Sequence, residues 1–458
     1  MFGDAKPSQI HVVLISAVPT CAGDEFQLNY VKEAEIARSY HWLIDHGIPA
    51  ENIILFMNGN FANNTEQNPY PGALYSDPER SRNYAEGLQI DYSGEEVNSE
   101  NFLAVIQGEK DKVNGGSGRV LNSSESDHVF ISHEGHGGPG FLMISSSGVL
   151  TSKVLTEALK DMDAEKKFKK LIYYIMACHS GSMFSGKLEP SGNIYAFTAA
   201  NPELDAHPKD LFEATLKDAP IVIYVNSQFG DGWMDYAESV SASIKHDTKK
   251  STLDAQYENV RPQVDSDATR YGNMEIGKHS ISDFQGLNDG PNSQAKPKPK
   301  FGSSNIKPEG RLPIAPIAKY MRLKQKLAKM PPKQMPERSK YLGSRGTQLM
   351  RSQKSPLELK VEQLESEQNN IKKSIASIVK SFVEDKNNFN SGPQHLNKVP
   401  SEIKEVNCHH EVIQTVWHNC PVVIKSPFIN DFIVPIVNLC EQKYPTDKIV
   451  EQVKKNCS

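Results

Sequence analysis

Six short apolar runs, rich in β-branched and aromatic residues, mark the first 285 or so residues: HVVLISA, NIILFM, DHVFIS, KLIYYIMA, NIYAFTAA and PIVIYVN. Runs of this length and composition suit buried, mostly parallel strands. Helical patterns lie between them. Over 29–46, Val31, Ala34, Ala37, Tyr40 and Ile44 recur at helical spacing, and Gly47 and Pro49 stop the run. Over 151–167, Val154, Leu155, Ala158, Leu159 and Met162 form one stripe, with Thr151 or Ser152 as cap. Strands alternating with helices predict an α/β sandwich around a mostly parallel central sheet.

The composition shifts near Leu287. From there to about Pro356 the chain is rich in Pro, Ser, Lys and Arg and poor in acids. This stretch reads as a basic linker or activation peptide over 287–356, with one basic helix at IAKYMRLKQKLAKM. Helical periodicity returns in LELKVEQLESEQNNIKKSIASIVKSFV, so 357–458 reads as a small all-α domain behind an α/β domain over 1–286.

The 458 residues carry a formal net charge of −5, which argues against nucleic acid as a partner. No apolar run approaches the roughly 20 residues of a membrane-spanning helix. The N-terminal MFGDAKPSQIHVVLISAVPT lacks the h-region and cleavage site of a secretory leader. The protein is therefore expected to be cytosolic, or else its leader is missing from this sequence. The cysteines favour the second choice. Cys21 and Cys178 stand apart, whereas Cys408, Cys420, Cys440 and Cys457 crowd the tail and read as two disulfides made in an oxidising compartment. Spacing alone allows three pairings. Zinc on NCHHEV is the competing reading, but no CxxC or HxxxH pair supports it, so neither metal nor other cofactor is expected. Sequons at Asn63 and Asn122 lean toward secretion and decide little.

The run YYIMACHSGSMF ends in Cys178, which is either a core thiol or a nucleophile at a strand end. A base is needed, and FISHEGHGGPGFL offers one. Its HEGH is not a zinc-protease motif. That motif sets two histidines at i and i+4 of a helix, whereas His133 and His136 are at i and i+3 and run into Gly137, Gly138 and Pro139. The better reading is a strand, then His136, then a glycine turn. If DHVFIS and KLIYYIMA are adjacent and parallel, with the helix of 151–167 as their right-handed crossover, His136 and Cys178 meet at one sheet edge. The backbone N–H groups of Gly137 and Cys178, with Gly138 beside them, then form an oxyanion site.

With these elements in place, the sequence resembles the legumain (asparaginyl endopeptidase) family of cysteine peptidases. The matching stretches include NYVKEAEIARSYHWLIDHGIPAENI, DYSGEEVNSENFLAVIQG, HGGPG, YYIMACHSGSM, YAFTAANP, RYGN, DFQG and the tail IVNLCEQKYPTDKI. They keep the family's order over nearly the full length. The resemblance implies a caspase-like catalytic sandwich, with Cys178 as nucleophile, His136 as base and Asn29 orienting His136. It implies the pairs Cys408–Cys440 and Cys420–Cys457. It also implies protein or peptide substrates, a zymogen inhibited by its own C-terminal domain, and a lysosomal, vacuolar or secreted location if a leader is missing. The chain departs from the family at the pocket for the P1 side chain. Charged family positions are Val31 and Met176 here, and the third, an aspartate, has only Asp231 as candidate. Gly135 and His179 replace two further acids. A carboxamide without matched partners loses on the order of 2–5 kcal/mol of discrimination. Asparagine specificity is therefore in doubt, and an apolar pocket is expected unless Lys32, His179 or Asp231 fills the gap. Two alternatives stand beside the peptidase. One is an inactive paralogue that binds peptides or a partner. The other is a transamidase of the type that attaches GPI anchors, whose family carries a membrane anchor in many members where this chain carries helices.

Overall fold

The computed structural model describes residues 8–18, 26–58, 61–66, 68–145, 148–243, 251–286, 318–328, 355–383 and 396–457. Cys21 and two candidate positions for an activating cut in the linker, Asn305 and the KPKPK stretch, lie outside them. The first element is strand β1 (Ile10–Ala17), followed by helix α1 (Phe26–Asp45), strands β2 (Ile53–Met57) and β3 (Tyr92–Ser93), and helix α2 (Ser99–Ile106). Next come β4 (His128–Gly138), β5 (Phe141–Met143), β6 (Val149–Thr151), α3 (Ser152–Ala164), β7 (Lys170–Met176) and β8 (Ile194–Thr198). A hairpin, β9 (Leu211–Leu216) and β10 (Ala219–Tyr224), precedes α4 (Gln228–Ser243), α5 (Leu253–Val260), β11 (Thr269–Gly272) and α6 (Ser282–Gln285).

The main sheet runs in the order β11-β8-β7-β4-β1-β2-β3. The pairs from β8 to β3 are parallel, and only the edge strand β11 on this path is antiparallel to its neighbour. Both faces are covered, which is why apolar residues run consecutively through Val12 to Ile15 of β1 and Leu171 to Met176 of β7. One face packs on α1, α4 and α5 through Tyr30, Ala34, Phe130, Tyr174 and Trp233. The other packs on α2 and α3 through Phe102, Val105, Leu155 and Leu159. This is the expected α/β sandwich.

Two expectations need correction. PIVIYVN becomes β10, but it pairs antiparallel with β9 outside the main sheet and lies against α1. Its partner LFEATL alternates, with Phe212 buried and Glu213 exposed, as a half-solvated hairpin should. Lys217 and Asp218 both have positive φ, the geometry of a two-residue type I′ turn. An apolar run alone does not tell the two kinds of strand apart. The second correction is at β4. The glycine turn expected after His136 is still strand at its start: β4 runs on through Gly137 and Gly138, where β5 pairs with it.

The C-terminal elements are all helical: α7 (Ala318–Ala328), α8 (Pro356–Val383), α9 (Val406–Asn419), α10 (Pro421–Ile424), α11 (Ile429–Glu441) and α12 (Thr446–Asn456). Cys408 of α9 is bonded to Cys440 of α11, and Cys420 to Cys457 beyond α12. Their core, with Val412, Val416, Phe432 and Ile436, continues onto Phe141, Met143 and Val149 of β5 and β6. The basic helix foreseen in the linker is α7. It rests on α8 through a 2.7 Å contact of Lys324 with Glu365, and Arg322 lies over the Tyr224 ring of β10. Among the described residues, no helix is long and apolar enough to cross a membrane.

Candidate active site

The site is built by register. β4 and β7 are adjacent and parallel, with Glu134 opposite Met176, and the same offset of 42 residues separates His136 from Cys178. β1 ends opposite Gly135, so His136 is the first β4 residue to outrun both neighbours. The imidazole and the thiol thus stand at the same height beyond the carboxyl ends of the sheet, where α/β folds bind ligands. Side chains alternate across a strand, so Glu134 and His136 share the α1 face and His133 has the other. His133 is buried on that other face, 3.3 Å from the Tyr173 hydroxyl, and burial lowers its pKa to about 3. The two histidines of HEGH therefore never meet. Among the described residues, no group of three or more acidic, His or Cys side chains is placed to hold a metal.

Helix α1 supplies the groups behind His136. Asn29 Oδ1 lies 2.7 Å from His136 Nε2, and Lys32 Nζ lies 3.4 Å from the same nitrogen. Asn29 and Lys32 are three apart on the helix and so present side by side. Gly137 follows His136 where a Cβ would collide with the Cys178 carbonyl oxygen. Only glycine lets the end of β4 run this close to the end of β7.

Cys178 is 1% exposed. Burial pushes the thiol well above its ordinary range, and the Asp205 carboxylate adds to the rise. A hydrogen bond from the Ala206 backbone and the charge of Lys32 act the other way. Burial also works against the charge of Asp205, but His179 and the thiol outweigh it and hold that carboxyl below its usual value. His179 has φ of 53°, which turns its ring so that Nδ1 sits 3.0 Å from Pro202 O and Nε2 sits 3.3 Å from Asp205 Oδ1. Asn430 of α11 reaches the same spot, with Nδ2 3.4 Å from His179 Nε2.

The structure brings Asn29, His136, Gly137 and Cys178 together. Val31 and Met176 are both buried in the apolar layer between α1 and the sheet that also holds Cys178. Asp231 is engaged elsewhere. Its Oδ1 is 2.5 Å from Arg38, and its other oxygen meets Lys209. Sequence reasoning missed Asp205, which sits in no motif, and the buried acids Glu35 and Glu134. The signal for Glu134 was legible, since a carboxylate inside a fully buried strand demands a partner.

The sequence signature of the peptidase C13 family spans residues 17–287. The chain belongs to the peptidase C13 family. Hemoglobinase of Schistosoma japonicum is 29% identical, over 95% of this chain and 91% of its own length. Legumain of Bos taurus is 30% identical over the same two shares. The vacuolar-processing enzyme delta-isozyme of Arabidopsis thaliana is 34% identical over 58% of this chain and 57% of its own. A caspase-1 structure from Spodoptera frugiperda overlaps 57% of this chain and 77% of its own, at 11% identity and a TM-score of 0.31. That score adds nothing to the sheet order given above. As a peptidase C13 protein of the legumain kind, the chain is a cysteine-type endopeptidase with protein substrates.

Proposed function

We propose that this peptidase C13 protein cuts peptide bonds with a Cys178–His136 dyad and is made as a zymogen closed by its own helices. The observation that carries the reading is the 2.7 Å contact of Asn29 Oδ1 with His136 Nε2, at the strand end that faces Cys178. An amide oxygen accepts, so Nε2 carries the proton and Nδ1 is left to take the one on the thiol. The Cys178 sulfur then bonds to the peptide carbonyl carbon, and the oxyanion meets the backbone N–H groups of Gly137 and Cys178. His136 returns its proton to the leaving amine. Water, deprotonated by the same ring, releases the acyl enzyme.

Closure by the helical region is supported by three polar contacts. Asn430 meets His179, His409 Nε2 lies 2.8 Å from Pro139 O, and His410 Nδ1 lies 2.8 Å from Thr151 Oγ1. Thr151, one of the two expected caps of α3, holds the cap position, but its hydroxyl turns to His410 rather than to its own helix. A buried protonated thiol is a resting form, and ionisation improves once the helices leave and water enters. KYMRLKQK falls inside α7, so the activating cut belongs in flanking chain rather than in that segment. Disulfides in the tail fit a lysosomal or vacuolar compartment. Val31 and Met176 favour a P1 pocket of weak asparagine preference.

The test is turnover of a peptide library by the proteolytically activated protein, with Cys178→Ala and His136→Ala beside it. Cleavage by the parent and none by either variant is expected, with all three equally folded. Equal turnover in a variant removes the dyad.

A further inference from the structure

Directly behind the candidate base lies a buried charged group that the mechanism above leaves unused. Lys32 is 0% exposed, Glu35 0% and Glu134 2%. Glu35 is fixed at the start of α4, where it accepts from Ser227 N at 2.5 Å and from Ser227 Oγ at 3.0 Å. Burial raises Glu35 to about 7, but the Ser227 donors and the hydrogen bond with Glu134 oppose that rise, so Glu35 is the first of the pair to ionise. Glu134 shares a hydrogen bond with Glu35 and is held protonated, first by burial and then by the Glu35 charge, while Lys32 opposes both. Its Oε2 has no hydrogen-bond partner among the described residues, so a charge on that carboxyl would lean on Lys32 alone. Two carboxyls that share one proton carry one negative charge, which balances the Lys32 ammonium. The group is thus neutral as a whole, with its positive end 3.4 Å from His136 Nε2.

We propose that Lys32 is a positioning residue of the Cys178–His136 dyad, its buried ammonium holding the His136 ring neutral with Nδ1 toward the thiol while favouring the thiolate. The inference rests on the dyad reading above. The Nε2 proton already belongs to Asn29 Oδ1, so the ammonium acts on the ring by charge rather than by donating to it. A positive charge at this distance makes a second proton on the ring costly. The same charge lowers the Cys178 thiol toward ionisation. Both effects place the working range of the dyad at lower pH. Among the described residues, three further polar or charged groups near the site face other partners. From the loop beyond β8, Asp205 faces His179 and the thiol. Asp231 of α4 acts on Glu35 but is paired with Arg38 and Lys209. From α11 the neutral Asn430 faces His179.

The experiment is a titration of the His136 ring in the full chain carrying ¹³C-labelled histidine, with His136→Gln to assign the signal. Lys32→Met is expected to raise the midpoint by about one pH unit or more, and Lys32→Arg to keep it within about 0.3 unit of the parent. Glu134→Gln alone is expected to leave it nearly in place, because the pair's single negative charge stays on Glu35. The double variant Glu35→Gln/Glu134→Gln removes that charge and is expected to lower the midpoint. If Lys32→Met does not fold, this downward shift carries the test. An unmoved midpoint in both Lys32→Met and the double variant, or equal shifts in Lys32→Met and Lys32→Arg, overturns the proposal. The readout needs no turnover, so a lost dyad reading and a lost Lys32 role are distinguishable. In the active enzyme the pH profile of kcat/KM is expected to move up with Lys32→Met by the same amount.

Discussion

At the scale of residues, the site depends on a few polar atoms set in an apolar layer. Asn29 is 0% exposed, and its side chain stands between α1 and the ring of His136. Removing it leaves the ring without its orienting acceptor, and an unmet hydrogen bond of this kind costs about 1–3 kcal/mol. Asn29→Ala is therefore expected to lower kcat by roughly 10–100-fold with KM little changed, because the lost contact acts on the base and not on the substrate. Steady-state kinetics on one peptide decides it, and a raised KM at unchanged kcat would assign Asn29 to substrate binding instead. The pocket gives a second prediction. A primary amide offers one acceptor and two donors, which a selective site must match. Val31 and Met176 offer neither, Asp231 is held by Arg38 and Lys209, and Lys32 is turned to His136 and the buried acids. Matched peptides with Asn or Leu at P1 should differ in kcat/KM by less than about a hundredfold, roughly 2.7 kcal/mol. A larger preference for Asn would mean that a polar group reaches the pocket after all.

At the scale of elements, legibility followed the locality of the signal. The apolar runs that became β1, β2, β7 and β8 were readable because burial on both faces leaves few polar positions. The spacing of His136 and Cys178 was readable because the two residues keep the register of their strands. The course of β10 was not, since its partner strand and the positive-φ turn between them are pairing facts rather than composition facts. The edge strand β11, four residues long and half-buried, carries no apolar run to betray it. Nor could the sequence place Glu134 against Glu35, two residues 99 apart whose meeting depends on how α1 crosses β4. In the tail, spacing left three pairings open, and the structure joins residues 32 and 37 apart. Loops of that length give disulfides worth about 3–4 kcal/mol each in the chain-entropy account. Cys420→Ser/Cys457→Ser is expected to lower the unfolding free energy of the helical region by roughly 2–4 kcal/mol and to leave the α/β part unchanged. Calorimetry with separate transitions checks this, and a shift confined to the α/β transition would contradict it.

At the scale of the whole molecule, the surface between the helical region and the α/β part contains a histidine that acid should turn against it. His409 is 0% exposed, and its Nε2–H donates to Pro139 O beside the candidate site. Its Nδ1 is buried without a partner among the described residues. Burial is the main reason its pKa falls to about 4, with the charges of Lys187 and His410 adding to the fall and the bond to Pro139 opposing it. Undocked, the ring would titrate near 6.5. The docked form therefore binds fewer protons than the free form between these two values. Its stability is complete above about pH 6.5 and declines as pH falls toward 4, by up to about 3 kcal/mol. His410 has the same sign, since burial lowers it too. Half-buried Glu441 has the opposite sign, because burial raises it and acid favours its protonated form. The expected outcome is that the full chain opens in acid, with Cys178 becoming reactive toward a thiol reagent within that window. His409→Gln keeps a donor for Pro139 O and does not titrate, so its opening should move to lower pH by about one unit or more. The fraction of Cys178 labelled at each pH, corrected by the labelling rate of the unfolded chain, gives the midpoint directly. A midpoint unchanged by His409→Gln would shift the acid response onto other groups of the interface. A midpoint raised by it would show that the ring stabilises docking through its contacts and not through its protonation state.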